Sequence, residues 1–586
     1  MEIKKTLTTT DQIQGADDVL AALLIDAYKA FHQKAYNPTV THVYSNFTNR
    51  GKTYSNTGLD YVVNVGTQYF VKSILMRQWQ TTFFDKPKEV VVAEYQRVIG
   101  SMLNKVVDTT HIEELHDLGY LPVRLKGLPE GSLVPYQVPT LTITNTVSGF
   151  GWVTNMLETV LSSETWGIST SATTAFAYRK RFESEESLRL LGAIPFLCHD
   201  FSYRGHFGTQ AASMSGFGHL CSFVGSDIVP AALFAERYYG AKIDKELVFA
   251  SVDATEHSVM CSYGTEGELE SLIHIITNVT PDGIVSIVSD TWDFWKLVTE
   301  YLPSIKDLIM SRDGTVVIRP DSGVPEEILC GKQFDTVRDD YSDGDFDAWC
   351  AQVAAQMDVD YREELDAEDP NTDLVREYQS PYGYYRVTYT PMLNRYDKKY
   401  YYVDNSNGAL EECVFEKMEL TAEDKGLVEC LWETFGGTIQ AETGLKLLDS
   451  HISAIYGDSI TLKRQDEITK RLIAKGFVPN VVLGVGSFTY QYVTRDTHAS
   501  AVKATDIQKG TNNHEAIFKD PKTDQSKKSA KGLLQVVKNA QGVYVLNSDV
   551  TPEEEQTGEL EVIFEDGKLI KETTLNEIRE RINSNF

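Results

Sequence analysis

The chain has 586 residues, 42% hydrophobic and 24% charged, which excludes a mainly disordered polymer and predicts roughly two to four domains. Its 84 acidic and 55 basic side chains give a net charge of −29, which argues against nonspecific binding to nucleic acid or anionic membrane. The seven cysteines are scattered, odd in number and without a CxxC pair, and no apolar run approaches a membrane span. No disulfide framework, structural zinc, signal peptide or membrane helix is expected, and the chain reads as cytoplasmic.

In chain order, residues 17–33 have helical apolar spacing, and 38–47 and 61–75 are rich in β-branched and aromatic residues. Residues 121–146 predict short antiparallel strands joined by Pro/Gly turns, and 147–190 predict helix. From about residue 196 the pattern changes. KELVFASVDATEHS, GIVSIVSD, TVVIRPDSG, HISAIYGDS and VPNVVLGVGS are short apolar runs that end in polar or glycine tips, separated by helical stretches. Strand, polar tip and helix in repetition predict a parallel α/β barrel, whose reactive groups sit at the C-terminal ends of the strands.

His257, Asp290 and Asp321 are 33 and 31 residues apart, and Asp458 and Gly486 are 28 apart, each fitting one strand–helix unit. Asp321 and Asp458 are 137 apart, so about 100 residues are surplus there, at roughly 326–420. That stretch reads as an insertion. Its residues 341–380 hold 12 acidic and 2 basic side chains, and a tyrosine-rich hairpin follows. Such charge runs are usually solvated faces, and a partner-binding role is the alternative. The last ~80 residues return to α+β, with a basic loop around Lys527, a hairpin at Asp566-Gly567 and a closing helix. The expected layout is an N-terminal α+β region at 1–190, a barrel at 191–500 and a segment at 501–586 that completes the α+β domain.

The strand tips collect Arg204, Asp227, His257, Asp290, Arg319, Asp321, Asp458 and the Gly484/Gly486 turn. Arginines and turn amides suit phosphate, and aspartates suit ribose hydroxyls or a magnesium shell. Each has a plainer reading. Arg319 with Asp321 could be a structural ion pair, His257 a capping residue, Phe201 and Tyr28 core, and the lysines near 527 a solubilising loop. Composition and spacing reach an α/β barrel enzyme acting on a phosphorylated small molecule.

Longer motifs narrow this. DAYK at 26–29, LPEG at 128–131, HDFSYRG at 199–205, GSDIV at 225–229, TEHS at 255–258, SIVSD at 286–290, VVIRPDSG at 316–323, IYGDSI at 455–460, GVGSF at 484–488, TRD at 494–496 and FKDP at 518–521 occur in this order. With them the chain resembles the nicotinamide phosphoribosyltransferases, from about Asp26 to the C-terminus apart from the insertion. The resemblance implies a type II phosphoribosyltransferase fold, a homodimer with shared active sites, and conversion of nicotinamide and phosphoribosyl pyrophosphate to nicotinamide mononucleotide and pyrophosphate in NAD salvage. It implies Mg²⁺ carried by the substrate pyrophosphate, with ATP hydrolysis optionally coupled through a phosphohistidine.

It also implies residue roles. Phe201 and the partner subunit's Tyr28 would sandwich the pyridine ring, and Asp227 would accept from the carboxamide while repelling the carboxylate of nicotinic acid. Arg204 and Arg319 would meet the pyridine and diphosphate, and Asp321 the ribose. Gly457, Asp458, Gly486 and Ser487 would hold the ribose and 5′-phosphate. Arg495 and Lys503 from the other subunit would add phosphate charge, as would Lys519 and Lys527. His257 would be phosphorylated, with Glu256 and Asp290 as its candidate hydrogen-bond partners. Ser487 and Phe488 stand where many relatives have glycine. The alternatives are a nicotinate phosphoribosyltransferase and a catalytically silent nucleotide-binding protein on the same fold.

Overall fold

The computed structural model describes residues 19–337, 345–364, 373–390, 413–457, 459–510, 513–519 and 529–586. The chain is mixed α/β and divides into two compact units. One comprises Met1–Ser251, Gly457–Asp466 and Asn480–Phe586; the other comprises Val252–Tyr456 and Glu467–Pro479.

The first unit is built on a seven-stranded sheet in the order Asn513–Ala516, Ala501–Lys509, Val40–Thr48, Pro139–Asn145, Val123–Gly127, Glu561–Glu565, Lys568–Leu569, antiparallel throughout. The N- and C-terminal segments therefore share one sheet. Its last hairpin turns at Asp566 and Gly567, both at positive φ, as a two-residue turn between right-twisted strands demands. Phe47, Phe70, Trp79, Leu125, Leu141, Ile143 and Phe564 lie in the core on this sheet. The expected helix over 17–33 is instead two 3₁₀ turns, Ala21–Leu23 and Ala27–Phe31, and one helical turn, His32–Ala35. Asp26 is extended between them, so the apolar spacing serves separate turns; residues 17 and 18 lie outside the described residues.

A second, parallel ladder stands in the same unit. Val482–Val485 pairs with Cys198–Asp200, and bridges continue from Asp200 to Ser226 and from Gly225 to Ala250. Helix Glu158–Ser184 packs on helix Thr209–Leu220 so closely that a β-carbon at Gly218 would lie 2.8 Å from both Ala172 N and Ile168 O. That contact joins residues beyond 190 to the N-terminal region, so the compact unit runs to Ser251 where the sequence suggested a division near 190.

The second unit carries a parallel sheet in the order Ile452–Tyr456, Val316–Arg319, Val285–Val288, Asp253–Ala254. The helical stretches predicted between these strands are present as Glu268–His274 and, in succession, Phe294–Lys296, the π-helical Leu297–Tyr301, Leu302–Ser304 and Lys306–Met310. The insertion has a core of its own. Helix Phe346–Glu364 buries Trp349, Cys350, Val353, Ala354 and Met357 on one face, against Leu374, Tyr378, Tyr385, Val387, Tyr389 and Cys413. Those residues belong to the antiparallel strands Leu374–Ser380, Gly383–Tyr389 and Cys413–Met418. The expected hairpin starts earlier than the tyrosine-rich stretch, and residues 391–412 lie outside the described residues.

Candidate active site

In the first unit, each parallel strand delivers a polar group just past its C-terminal end. Strand periodicity puts His199 and Phe201 on one face and Asp200 on the other. Asp200 is fully buried, accepts from Ser202 N at 2.9 Å, and burial pushes its carboxyl pKa up. Phe201 N donates to Val485 O, and the Phe201 ring lies 4.5 Å from the His199 ring, tilted by 32°. Asp227 follows Ser226, which bridges to Asp200, and is half exposed, with Oδ1 at 2.8 Å from His199 Nε2 and 2.6 Å from Ser251 Oγ. Arg204 is exposed on the turn Tyr203–Gly205. Gly486 caps the five-residue helix Ser487–Gln491, whose first side chain lies against Gly205. Gly457 is half-buried; Asp458 lies outside the described residues.

The second unit presents His257, Asp290, Arg319 and Asp321 at the C-terminal ends of its own strands. His257 opens the short helix His257–Cys261 with its ring half exposed. Its Nδ1 is 3.2 Å from Thr291 Oγ1, and its Nε2 is 3.9 Å from both Asp290 Oδ1 and Asp321 Oδ2. The expected Glu256 partner is turned elsewhere: its carboxylate accepts from Ser258 Oγ. Asp290 Oδ2 accepts from Asp321 N at 3.1 Å and Ser322 Oγ at 2.5 Å, while its buried Oδ1 has no hydrogen-bond partner among the described residues. Arg319 donates to Thr255 O at 2.9 Å, and its buried Nε likewise has no partner among them. A buried acceptor and a buried donor left unspent are costly, and both stand at strand tips where a ligand would meet them.

A third group also belongs to the first unit. Tyr28 is 57% exposed rather than core, and burial together with Asp26 raises its phenol pKa. Arg495 lies close enough to act on that phenol electrostatically. Lys503 has its pKa lowered, first by burial and then by Arg50, Lys519 and Arg495, against the pull of Glu158. Arg50, Lys519 and Arg495 thus lie within electrostatic reach of Lys503, with Glu158 as the opposing charge. Lys527 lies outside the described residues. Reading the sequence missed His199, Ser251, Thr291 and Arg50. His199 was within reach, two residues before Phe201 on a strand; the others are brought in by contacts distant in sequence.

Parallel strands with arginine, aspartate and histidine at their tips, beside an antiparallel sheet shared by both ends of the chain, define an α/β enzyme for a phosphorylated small molecule. The chain belongs to the nicotinate phosphoribosyltransferase (NAPRTase) family, whose model matches residues 196–361 and 390–548, and is a phosphoribosyltransferase. It is 39% identical over 573 residues to the nicotinamide phosphoribosyltransferase of Acinetobacter baylyi, covering 95% of this chain and 96% of that one. It is 26% identical over 564 residues to the nicotinamide phosphoribosyltransferase of Xanthomonas campestris, covering 94% and 96%. Among solved structures, it is similar to nicotinate-nucleotide pyrophosphorylase from Pyrococcus furiosus, with a TM-score of 0.49 and 13% identity over 98% of each chain. Among the described residues, no helix is long and apolar enough to cross a membrane.

Proposed function

We infer that this enzyme makes nicotinamide mononucleotide and pyrophosphate from nicotinamide and phosphoribosyl pyrophosphate, a step of NAD salvage. The observation that carries the choice of base is the Asp227 carboxylate, placed with Phe201 at the strand tips of the first unit. A carboxylate accepts hydrogen bonds from a carboxamide NH₂ and repels a second carboxylate, so it favours the amide over nicotinic acid. The naming of the 39%-identical relative supports the same choice.

The chemistry asks for positioning and charge. Departure of pyrophosphate leaves C1 with oxocarbenium-like character, and arginines such as Arg204 and Arg319 stabilise the departing anion. The aromatic faces of Phe201 and, from a partner subunit in a homodimer, Tyr28 hold the weakly nucleophilic ring nitrogen in line. Asp321 holds ribose hydroxyls. Asp290 Oδ1, buried and without a partner among the described residues, and Asp321 suit a magnesium ion carried by the pyrophosphate, because hard carboxylate oxygens are its preferred ligands. When bound, Mg²⁺ supplies positive charge against the leaving group.

His257 is the site proposed for coupling to ATP. Its Nδ1 is held by Thr291, which leaves Nε2 to take a phosphoryl group from ATP. Two carboxylates lie 3.9 Å from that nitrogen, so a phosphoryl there needs a cation to offset the repulsion. The deciding experiment offers nicotinamide and nicotinic acid in parallel with phosphoribosyl pyrophosphate and Mg²⁺, each with and without ATP. Preference for the amide is expected. Preference for the acid would establish the nicotinate enzyme, and no product from either base would favour a silent binder.

A further inference from the structure

We propose that His199 and Ser251 are positioning residues for base selection, acting through Asp227; this rests on the reading of Asp227 as the carboxamide acceptor. Two donors from different strand ends converge on one oxygen of Asp227: His199 Nε2 at 2.8 Å and Ser251 Oγ at 2.6 Å. An ionised carboxylate only accepts, so His199 Nε2 is the donor of this bond. A carboxylate bound by one donor can still swing about its side-chain torsion. One gripped by two, from residues 28 positions before it and 24 after it, has its plane fixed. The discrimination between a carboxamide and a carboxylate depends on where that charge points, so the grip sets selectivity.

The surroundings hold the grip in turn. The His199 ring lies against Phe201, the face proposed for the pyridine, so one side chain orients both the stacking surface and the selector. Behind His199 stands Gly225, where a β-carbon would lie 3.1 Å from His199 Nδ1 and 3.0 Å from Cys198 O. Gly225 O accepts from Asp200 N and from His219 Nε2, which pins this wall to the buried part of the unit. His199 is itself mostly buried, whereas Ser251 is exposed and its replacement disturbs little packing.

The test measures kcat/KM for nicotinamide and nicotinic acid in wild type, His199→Leu, His199→Gln, Ser251→Ala and Asp227→Ser, with KM for phosphoribosyl pyrophosphate and thermal melting recorded for each. His199→Leu is expected to lower kcat/KM for the amide about tenfold, through KM, and to shrink the amide-to-acid ratio, as loss of a hydrogen bond to a charged group implies. Ser251→Ala should act in the same direction. His199→Gln keeps an N–H on a side chain of similar reach and should recover most of the ratio. Melting and KM for phosphoribosyl pyrophosphate should stay near wild type. Should His199→Leu fail to fold, Ser251→Ala decides alone. An unchanged ratio in the folded His199→Leu and Ser251→Ala variants, with the ratio lost in Asp227→Ser, would overturn this proposal and leave the selector intact. So would a His199→Gln variant no better than His199→Leu. An unchanged ratio in Asp227→Ser would remove the selector reading itself, and the positioning role with it.

Discussion

Ser487 fills the space that a side chain at Gly205 would need: a β-carbon at Gly205 would lie 2.0 Å from Ser487 Oγ and 2.2 Å from Ser487 Cβ. The turn that carries Arg204 and the turn proposed to hold the 5′-phosphate therefore fit together only because one residue has no side chain. A clash with Cβ cannot be relieved by rotating a hydroxyl, so the backbone of one turn must move. Gly205→Ala should lower kcat/KM by tenfold or more, on the order of the loss a displacement near the reacting groups produces. The double variant Gly205→Ala, Ser487→Gly should regain most of it in the same assay. Failure of the second change to restore activity would show that the two turns do not constrain each other.

Glu130, in the LPEG motif, serves structure. It is buried and accepts from Gly66 N at 2.9 Å, Gln68 N at 2.6 Å and Tyr239 Oη at 2.9 Å. Glu130→Ala leaves three donors unsatisfied, at about 2–4 kcal/mol. The denaturation midpoint should fall markedly, while the amide-to-acid preference of the surviving folded enzyme stays at the wild-type value.

Glu268 sets part of the pH dependence of stability. Burial first, and the nearby Asp293 second, push its carboxyl up to about 7 from an ordinary value of 4.5. The native state holds this proton more tightly than the unfolded chain does. The contribution is fully present below the unfolded pKa and is lost as pH rises from about 4.5 through about 7. Glu268→Gln keeps a neutral group at every pH. Its stability relative to wild type should therefore grow between pH 5 and pH 8, by on the order of 2 kcal/mol. A difference that stays constant across that range in denaturant titrations would contradict the assignment.

His257→Ala should abolish ATP hydrolysis while retaining uncoupled transfer, because no step of phosphoribosyl transfer needs the imidazole. ATP stimulation that persists in the variant would exclude the phosphohistidine.

If active sites are shared in a homodimer, mixing Arg495→Ala subunits with Asp321→Ala subunits should restore part of the activity each lacks alone. Sites contained within one subunit would show no complementation.

The parallel strands Val285–Val288, Val316–Arg319, Ile452–Tyr456 and Val482–Val485 were legible because each lies in a short apolar run ending in polar or glycine residues, and Asp290 and Arg319 stand at those ends as expected; strand Cys198–Asp200, just before Phe201, has no such run and was not read. Contacts between distant segments were not legible. The Gly218 packing that carries the first unit to Ser251 has no local signature, and neither does the choice of Thr291 over Glu256 beside His257. Residues 17–33 misled in the other direction, since helical spacing describes which residues face a core and not whether Asp26 interrupts the helix. Asp458 and Lys527 fall outside the described residues.

Among the described residues, the two ends of the insertion meet backbone to backbone. A β-carbon at Gly331 would lie 2.2 Å from Asp424 O, one at Gly426 would lie 2.1 Å from Gly331 N, and Lys332 N donates to Asp424 O. Two glycines thus press backbone on backbone, and both stand at positive φ. With its ends held this close, the unit's fold asks little of the length of the segment between them. Doubling its length adds only about 0.6 kcal/mol of loop-closure cost, so this position is a natural port for grafting a reporter or affinity module into the chain.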